Sequence, residues 1–120
     1  FMGFGKLAIV GLALVSVGLF LAYPAESCQR INHRSEQNLS IVVYSTSWCG
    51  HCRKLIAYLD DLNLNYQVCD VEKTTKGKNA FRKLKADGVP VTLIVADRID
   101  GFDKKSLLKS IKSQEPELLQ

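Results

Sequence analysis

Cys49 and Cys52 stand two residues apart in the run Trp48-Cys49-Gly50-His51-Cys52, a spacing that brings two sulfurs within disulfide reach across one helical turn. If a helix begins here, Cys49 meets its unpaired backbone N–H groups and the positive end of its dipole, which favour a thiolate. Thiolates in such settings have pKa values of about 3.5–7.5, against about 8.5 for a free thiol. Cys49 is therefore expected to attack, and Cys52 to resolve the resulting mixed disulfide from the core side, because it falls in register with Leu55, Ile56 and Leu59. His51 is expected to lend charge or a hydrogen bond to the Cys49 thiolate, which stabilises the reduced form and makes the disulfide a stronger oxidant. The plain alternative for His51 is a solvated surface histidine. Trp48 either shields the sulfurs and contacts substrate or packs at the domain edge.

Two bland readings of the sulfur pair are disfavoured. Structural zinc needs about four ligands, and a second close pair is missing: Cys28 and Cys69 are far apart and His33 lies outside the motif. A static disulfide fits poorly with a reactive helix start. Val89-Pro90 completes the constellation. An X-Pro step opening a strand is a natural place for a cis peptide, and that turn would offer backbone groups to an incoming extended peptide or thiol; a plain trans proline is the alternative. Cys69 reads most simply as a small buried hydrophobe. A Cys28–Cys69 bond and an intermolecular bridge through Cys28 both stay open, since four cysteines permit three connectivities.

The elements that must position these groups alternate along the chain. Ser40 to Tyr44 is a β-rich run, and Cys52, Leu55, Ile56, Leu59 and Leu62 recur at helical spacing. Tyr66 to Val71 is a second strand. Asn79 to Ala86 carries Ala80, Phe81 and Leu84 on one helical stripe, with Gly88 as a helix stop. Val91 to Val95 is a third strand, and Asp97-Arg98 turns into a fourth that ends at Gly101. Asp103 is a suitable amino-cap for a helix bearing Leu107, Leu108 and Ile111. The order β-α-β-α-β-β-α implies an α/β fold: a four-stranded mixed sheet, its first two strands parallel and its last two a hairpin, with helices on both faces.

Around this unit of residues 39–113, residues 24–38 read as a linker and residues 114–120 as a fraying tail. Residues 7–23 hold no charge and are apolar all round, which suits a core helix poorly. As a helix they reach about 25 Å, near the lower limit for a bilayer core of about 30 Å. An uncleaved anchor is favoured over a cleaved signal, because cleavage after Ala25 would place Tyr23 where a small residue is wanted. Residues 1–23 are thus expected to be an anchor or signal segment that delivers the domain to the extracytoplasmic, periplasmic side; Lys6 before it and Arg30 and Arg34 after it leave the cytoplasmic side open. Phe1 ahead of Met2 points to a trimmed or engineered amino end. The 120 residues are 47% apolar and 23% charged with a formal charge of +4. The basic residues are scattered among the acids, which points to a solvated surface and no nucleic-acid partner.

Three blocks carry a family resemblance: residues 44–52 (YSTSWCGHC), residues 88–92 (GVPVT) and residues 100–103 (DGFD). Over about residues 40–113 the chain resembles the glutaredoxins and glutaredoxin-like mycoredoxins, and the Trp-Cys-Gly-His-Cys motif is also that of protein disulfide isomerases. The resemblance implies a thioredoxin-like fold and a thiol–disulfide oxidoreductase without a tightly bound cofactor. In it Cys49 is the nucleophile, Cys52 resolves and Pro90 is cis. Val89 gives main-chain bonds to glutathione, and Gly101 and Asp103 belong to the glutathione-binding region. Gly50-His51 replaces the usual Pro-Tyr, Asp100 replaces the first Gly of that region's glycine pair, Lys104 replaces its second acid, and the usual upstream lysine is absent. Protein dithiols or disulfides are therefore expected partners beside glutathione. The competing readings are an iron–sulfur or metal carrier and a membrane-tethered interaction module without turnover.

Overall fold

The computed structural model describes residues 28–119, so the expected anchor or signal and the first part of the expected linker lie outside the described residues. Its elements are β1 (Gln29–Ile31), β2 (Ile41–Ser45), α1 (Gly50–Asp61), β3 (Tyr66–Asp70), α2 (Thr75–Leu84), β4 (Val91–Ile94), β5 (Asp97–Asp100), α3 (Lys104–Gln114) and a closing 3-10 turn, Pro116–Leu119. The sheet runs β1-β3-β2-β4-β5. β2 and β3 are parallel, as a helical crossover requires, and β4 is antiparallel to both β2 and β5.

Side chains that alternate along the strands separate two cores. Ile41, Val43, Ile94 and Ile99 meet Leu55 and Leu59 of α1 and Leu107 and Ile111 of α3 on one face. Tyr44, Cys69 and Val91 meet Ala80, Phe81 and Leu84 of α2 on the other. Each fully buried Leu or Ile stabilises by about 1.5–3 kcal/mol. The first core holds α1 against the sheet, with its start just beyond the end of β2, where the sulfur pair must sit.

The architecture departs from expectation at four places. The sheet has five strands, because β1 pairs antiparallel with β3 (Gln29 opposite Val68, Ile31 opposite Tyr66). Residues 28–38 are therefore no free linker. Asn65 Oδ1 accepts from the His33 and Arg34 N–H groups at 2.6 and 2.9 Å, and Gln37 bonds the Leu39 and Asn65 carbonyls at 2.8 Å each. Such amide-to-backbone bonds leave no hydrophobic period in a sequence. Secondly, α2 begins at Thr75, because the Thr74 hydroxyl caps it by accepting from the Gly77 N–H at 2.9 Å. It stops at Lys85, which turns left-handed at φ 51°, before Gly88 is reached. Thirdly, β4 ends at Ile94, and Val95 takes φ 56° in the tight turn to β5, an uncommon conformation for a β-branched residue. Finally, the tail is held: Leu118 is buried in the first core, and Glu115 accepts from the Asn38 and Leu39 N–H groups.

Candidate active site

Ser45 ends β2 and Gly50 opens α1, leaving Thr46–Cys49 to reverse direction at the end of the sheet's central strand. Cys49 is the amino-cap of α1. Its backbone is extended (φ −80°, ψ 114°), and its Sγ accepts the Cys52 N–H at 3.1 Å. The helix start thus supplies a backbone donor to this sulfur, as the spacing predicted, and an ionised sulfur would gain most from it. Cys49 is bonded to Cys52 as a disulfide. Cys52 is 1% exposed and faces inward with Leu55 and Leu59; Cys49, at 5%, is the outer of the pair.

The Val89-Pro90 peptide is cis, and the Val89 carbonyl oxygen lies 3.9 Å from Cys49 Sγ. Two segments forty residues apart in the chain therefore meet at the sulfur. Pro90 is buried, and its carbonyl accepts the Gly101 N–H at 2.8 Å. Gly101 has φ 79°, a conformation that glycine adopts without steric cost. Val89, Pro90 and Gly101 line a groove of 340 Å³ together with Asp87, Gly88, Arg98 and Asp100.

The remaining expected residues sit around this centre. Trp48 is 66% exposed, and its indole Nε1 donates to Glu72 at 2.9 Å, so the ring is held beside the cap without being packed into it. His51 is exposed in the first turn of α1 and forms no hydrogen bond to either sulfur. Asp103 does not line the groove. It caps α3, accepting from the Lys105 and Ser106 N–H groups and from the Ser106 hydroxyl at 2.7 Å; the Ser106 bonds hold its carboxyl below the ordinary value.

Sequence reasoning missed Arg98 and Glu72. Arg98 donates to the Leu84 carbonyl at 2.6 Å and pairs with Asp100 at 3.0 Å, placing a guanidinium on the groove wall. Neither residue belongs to a hydrophobic period; Glu72 gains its place from Trp48, and Arg98 from the Leu84 carbonyl as well as from nearby Asp100. Cys28 and Cys69 form a second disulfide, so Cys69, read above as a small buried hydrophobe, is a bonded half-cystine. Among the described residues no group of three or more His, Cys, Asp or Glu side chains could hold a metal ion.

Comparisons with known proteins agree with this geometry. The Glutaredoxin family model matches residues 41–99. An uncharacterised glutaredoxin-like 8.6 kDa protein of the rubredoxin operon of Clostridium pasteurianum is 36% identical over 73 residues, covering 60% of this chain and 97% of that protein. Among solved structures, the glutaredoxin of Methanosarcina mazei Go1 has a TM-score of 0.57 at 19% identity, covering 70% of this chain and 86% of its own. The glutaredoxin of Archaeoglobus fulgidus has a TM-score of 0.54 at 20% identity, covering 60% and 85%. The glutaredoxin-like NrdH-redoxin of Escherichia coli, described as having a thioredoxin-like activity profile, has a TM-score of 0.54 at 16% identity, covering 58% and 92%. At these identities the solved structures speak to the fold, which is thioredoxin-like α/β. With its family match, its 36% identical relative and a sulfur pair at the start of α1, the chain belongs to the glutaredoxin family.

Proposed function

We propose that the protein is a dithiol oxidoreductase that exchanges its Cys49–Cys52 disulfide with protein or low-molecular-weight thiols. The observation that carries this reading is the sulfur of Cys49 at the cap of α1, accepting the Cys52 N–H at 3.1 Å with Val89 of the cis-proline turn beside it. In the reducing direction the Cys49 thiolate attacks a substrate disulfide. One substrate sulfur leaves as a thiolate, and the other is joined to Cys49. The Cys52 sulfur, once deprotonated, then attacks Cys49 Sγ, restoring the internal disulfide and releasing the second substrate thiolate. Substrate gains two electrons and the dithiol loses them; oxidation of a substrate dithiol runs the same steps backward. In this reading His51 acts on the thiolate through its charge and proximity. Trp48, Val89, Pro90 and Gly101 form the surface that receives the substrate, with Val89 supplying main-chain hydrogen bonds. Asp103 acts at one remove, by fixing the start of α3 next to Gly101.

Glutathione is the candidate small co-substrate, and a protein dithiol the candidate larger one. The departures at Gly50-His51, Asp100 and Lys104 favour the protein partner, as does the groove wall, where Arg98 is already engaged by Asp100 and Leu84. We place the domain on the extracytoplasmic side of a membrane, tethered through residues 7–23. The charge-free segment supports the tether. The Cys28–Cys69 disulfide supports an oxidising compartment, where such bonds persist.

The test is a pair of variants. Cys49→Ser is expected to abolish turnover in an insulin or mixed-disulfide reduction assay. Cys52→Ser is expected to accumulate a mixed disulfide with the partner, visible as a thiol-sensitive band on a non-reducing gel. Full activity in the Cys49→Ser protein would overturn the reading.

A further inference from the structure

Helix α2 and its flanks hold the chain's charge imbalance. Lys73, Lys76, Lys78, Arg82, Lys83 and Lys85 fall within residues 73–85 without a single acid, so the rest of the chain carries a formal charge of −2. All six are exposed, and none forms an ion pair among the described residues. The inward face of α2 is accounted for by Gly77, Ala80, Phe81 and Leu84. At 3.6 residues per turn, that leaves Lys76, Lys78, Arg82 and Lys83 pointing outward with Thr75 and Asn79. A face of this composition has almost nothing apolar to bury, so any partner must be recognised by negative charge.

The place where the chain enters the domain narrows the partner. Cys28 is bonded to Cys69 and packs in the same cluster as Ala80, Phe81 and Leu84, so the polypeptide enters beside α2. Only residues 24–27 separate Cys28 from Tyr23, the last residue of the expected anchor. Five peptide steps reach at most about 18 Å even when fully extended, roughly two Debye lengths at physiological salt. We propose that the outward face of α2 docks on an anionic lipid surface beside the point where the chain enters the bilayer. The inference rests on reading residues 7–23 as a membrane anchor. The tether keeps α2 within reach of the leaflet, and once the face lies against anionic headgroups each lysine or arginine there strengthens the hold by about fivefold. Docking there also keeps the sulfur pair near the membrane. Ser45 and Asp70 are paired across β2 and β3, next to Cys69, and end both strands on the side of the sheet from which α1 starts. The disulfides within reach are then those exposed at the membrane surface.

The test uses the full chain in lipid nanodiscs doped with a gadolinium-chelating headgroup lipid, comparing phosphatidylcholine discs with discs that also contain phosphatidylglycerol. Backbone amide signals of residues 75–84 are expected to broaden more in the anionic discs than in the phosphatidylcholine discs, and more than those of any other face of the domain. The excess should vanish in high salt and in the combined Lys76→Gln, Lys78→Gln, Arg82→Gln, Lys83→Gln protein. Equal broadening in both discs, an excess centred on another face, or an excess that survives the four substitutions would overturn docking. So would a soluble polyanion that shifts these signals while anionic discs do not, which would assign the face to an acidic macromolecule. The anchor is read separately: release of the chain from phosphatidylcholine vesicles by alkaline carbonate would overturn the tether and the geometry built on it. Retention with composition-independent broadening would overturn docking alone.

Discussion

Asp60, at the far end of α1 from the sulfurs, ties three segments together. Its Oδ1 accepts the Tyr66 hydroxyl at 2.6 Å and lies 2.7 Å from His33 Nε2, while the His33 and Tyr66 rings stand 6.3 Å apart. Partial desolvation pushes the Asp60 carboxyl up. The Tyr66 bond and the His33 bond and charge together outweigh it, holding the group below its ordinary 3.8. Burial, then the Asp60 bond and charge, push the Tyr66 hydroxyl well above its ordinary 10.0. The sign for Asp60 follows from linkage: a carboxyl with a lowered folded pKa adds stability that is present above 3.8 and lost as pH falls through the lowered value. Wild type should therefore exceed Asp60→Asn in urea midpoint at neutral pH, with the gap closing under acid. The carboxyl is 42% exposed, so the gap is small and shrinks in salt. A gap unchanged down to strongly acid pH would contradict this account. At this scale the Cys49 and Cys52 positions could be read from spacing, whereas His33 in a supposed linker and Tyr66 in a strand gave no sign of sharing one carboxylate.

Between residues and molecule, α2 shows how an element's start is decided by contacts that hydrophobic period does not record. The Thr74 hydroxyl donates to the Asp70 carbonyl at 2.8 Å while accepting from the Gly77 N–H, so the end of β3 and the start of α2 share one side chain. Gly77 is buried in that corner, and a methyl group built on it would overlap the Asp70 carbonyl and the Thr74 hydroxyl. Gly77→Ala improves helix propensity by up to about 1 kcal/mol, but the overlap is with backbone and must be relieved by shifting β3 or α2. Overpacking of this kind costs about 1–3 kcal/mol, and the clash is expected to win. Chemical denaturation should show Gly77→Ala destabilised by up to about 2 kcal/mol; a more stable variant would mean that the corner yields freely. Ala80, Phe81 and Leu84 announced this helix, but its four-residue earlier start came from a cap bound to a neighbouring strand.

For the molecule as a whole, the Cys28–Cys69 disulfide closes a sequence separation of 41 residues and fastens β1 over the edge of β3. In the chain-entropy treatment a loop of that length contributes about 4 kcal/mol, with about 2–4 typical of measurement. The Cys28→Ala, Cys69→Ala protein should unfold about 2–4 kcal/mol more easily, retain dithiol exchange at Cys49–Cys52, and show faster hydrogen exchange in β1 and β3. Unchanged stability would show that strand pairing alone holds this edge. The same comparison separates an oxidising from a reducing compartment, because protein made in the latter should resemble the double variant.

The alternation of β and α runs, the parallel first crossover, the closing hairpin and the Cys-Gly-His-Cys helix start could all be inferred from the chain alone. Each follows from a local period or a fixed spacing, which folding preserves. Folding was needed for the union of Val89 with Cys49 across forty residues, the Arg98 wall of the groove, the fifth strand and the Cys28–Cys69 pairing. Those depend on which distant segments come to lie side by side, and a one-dimensional pattern carries no record of that.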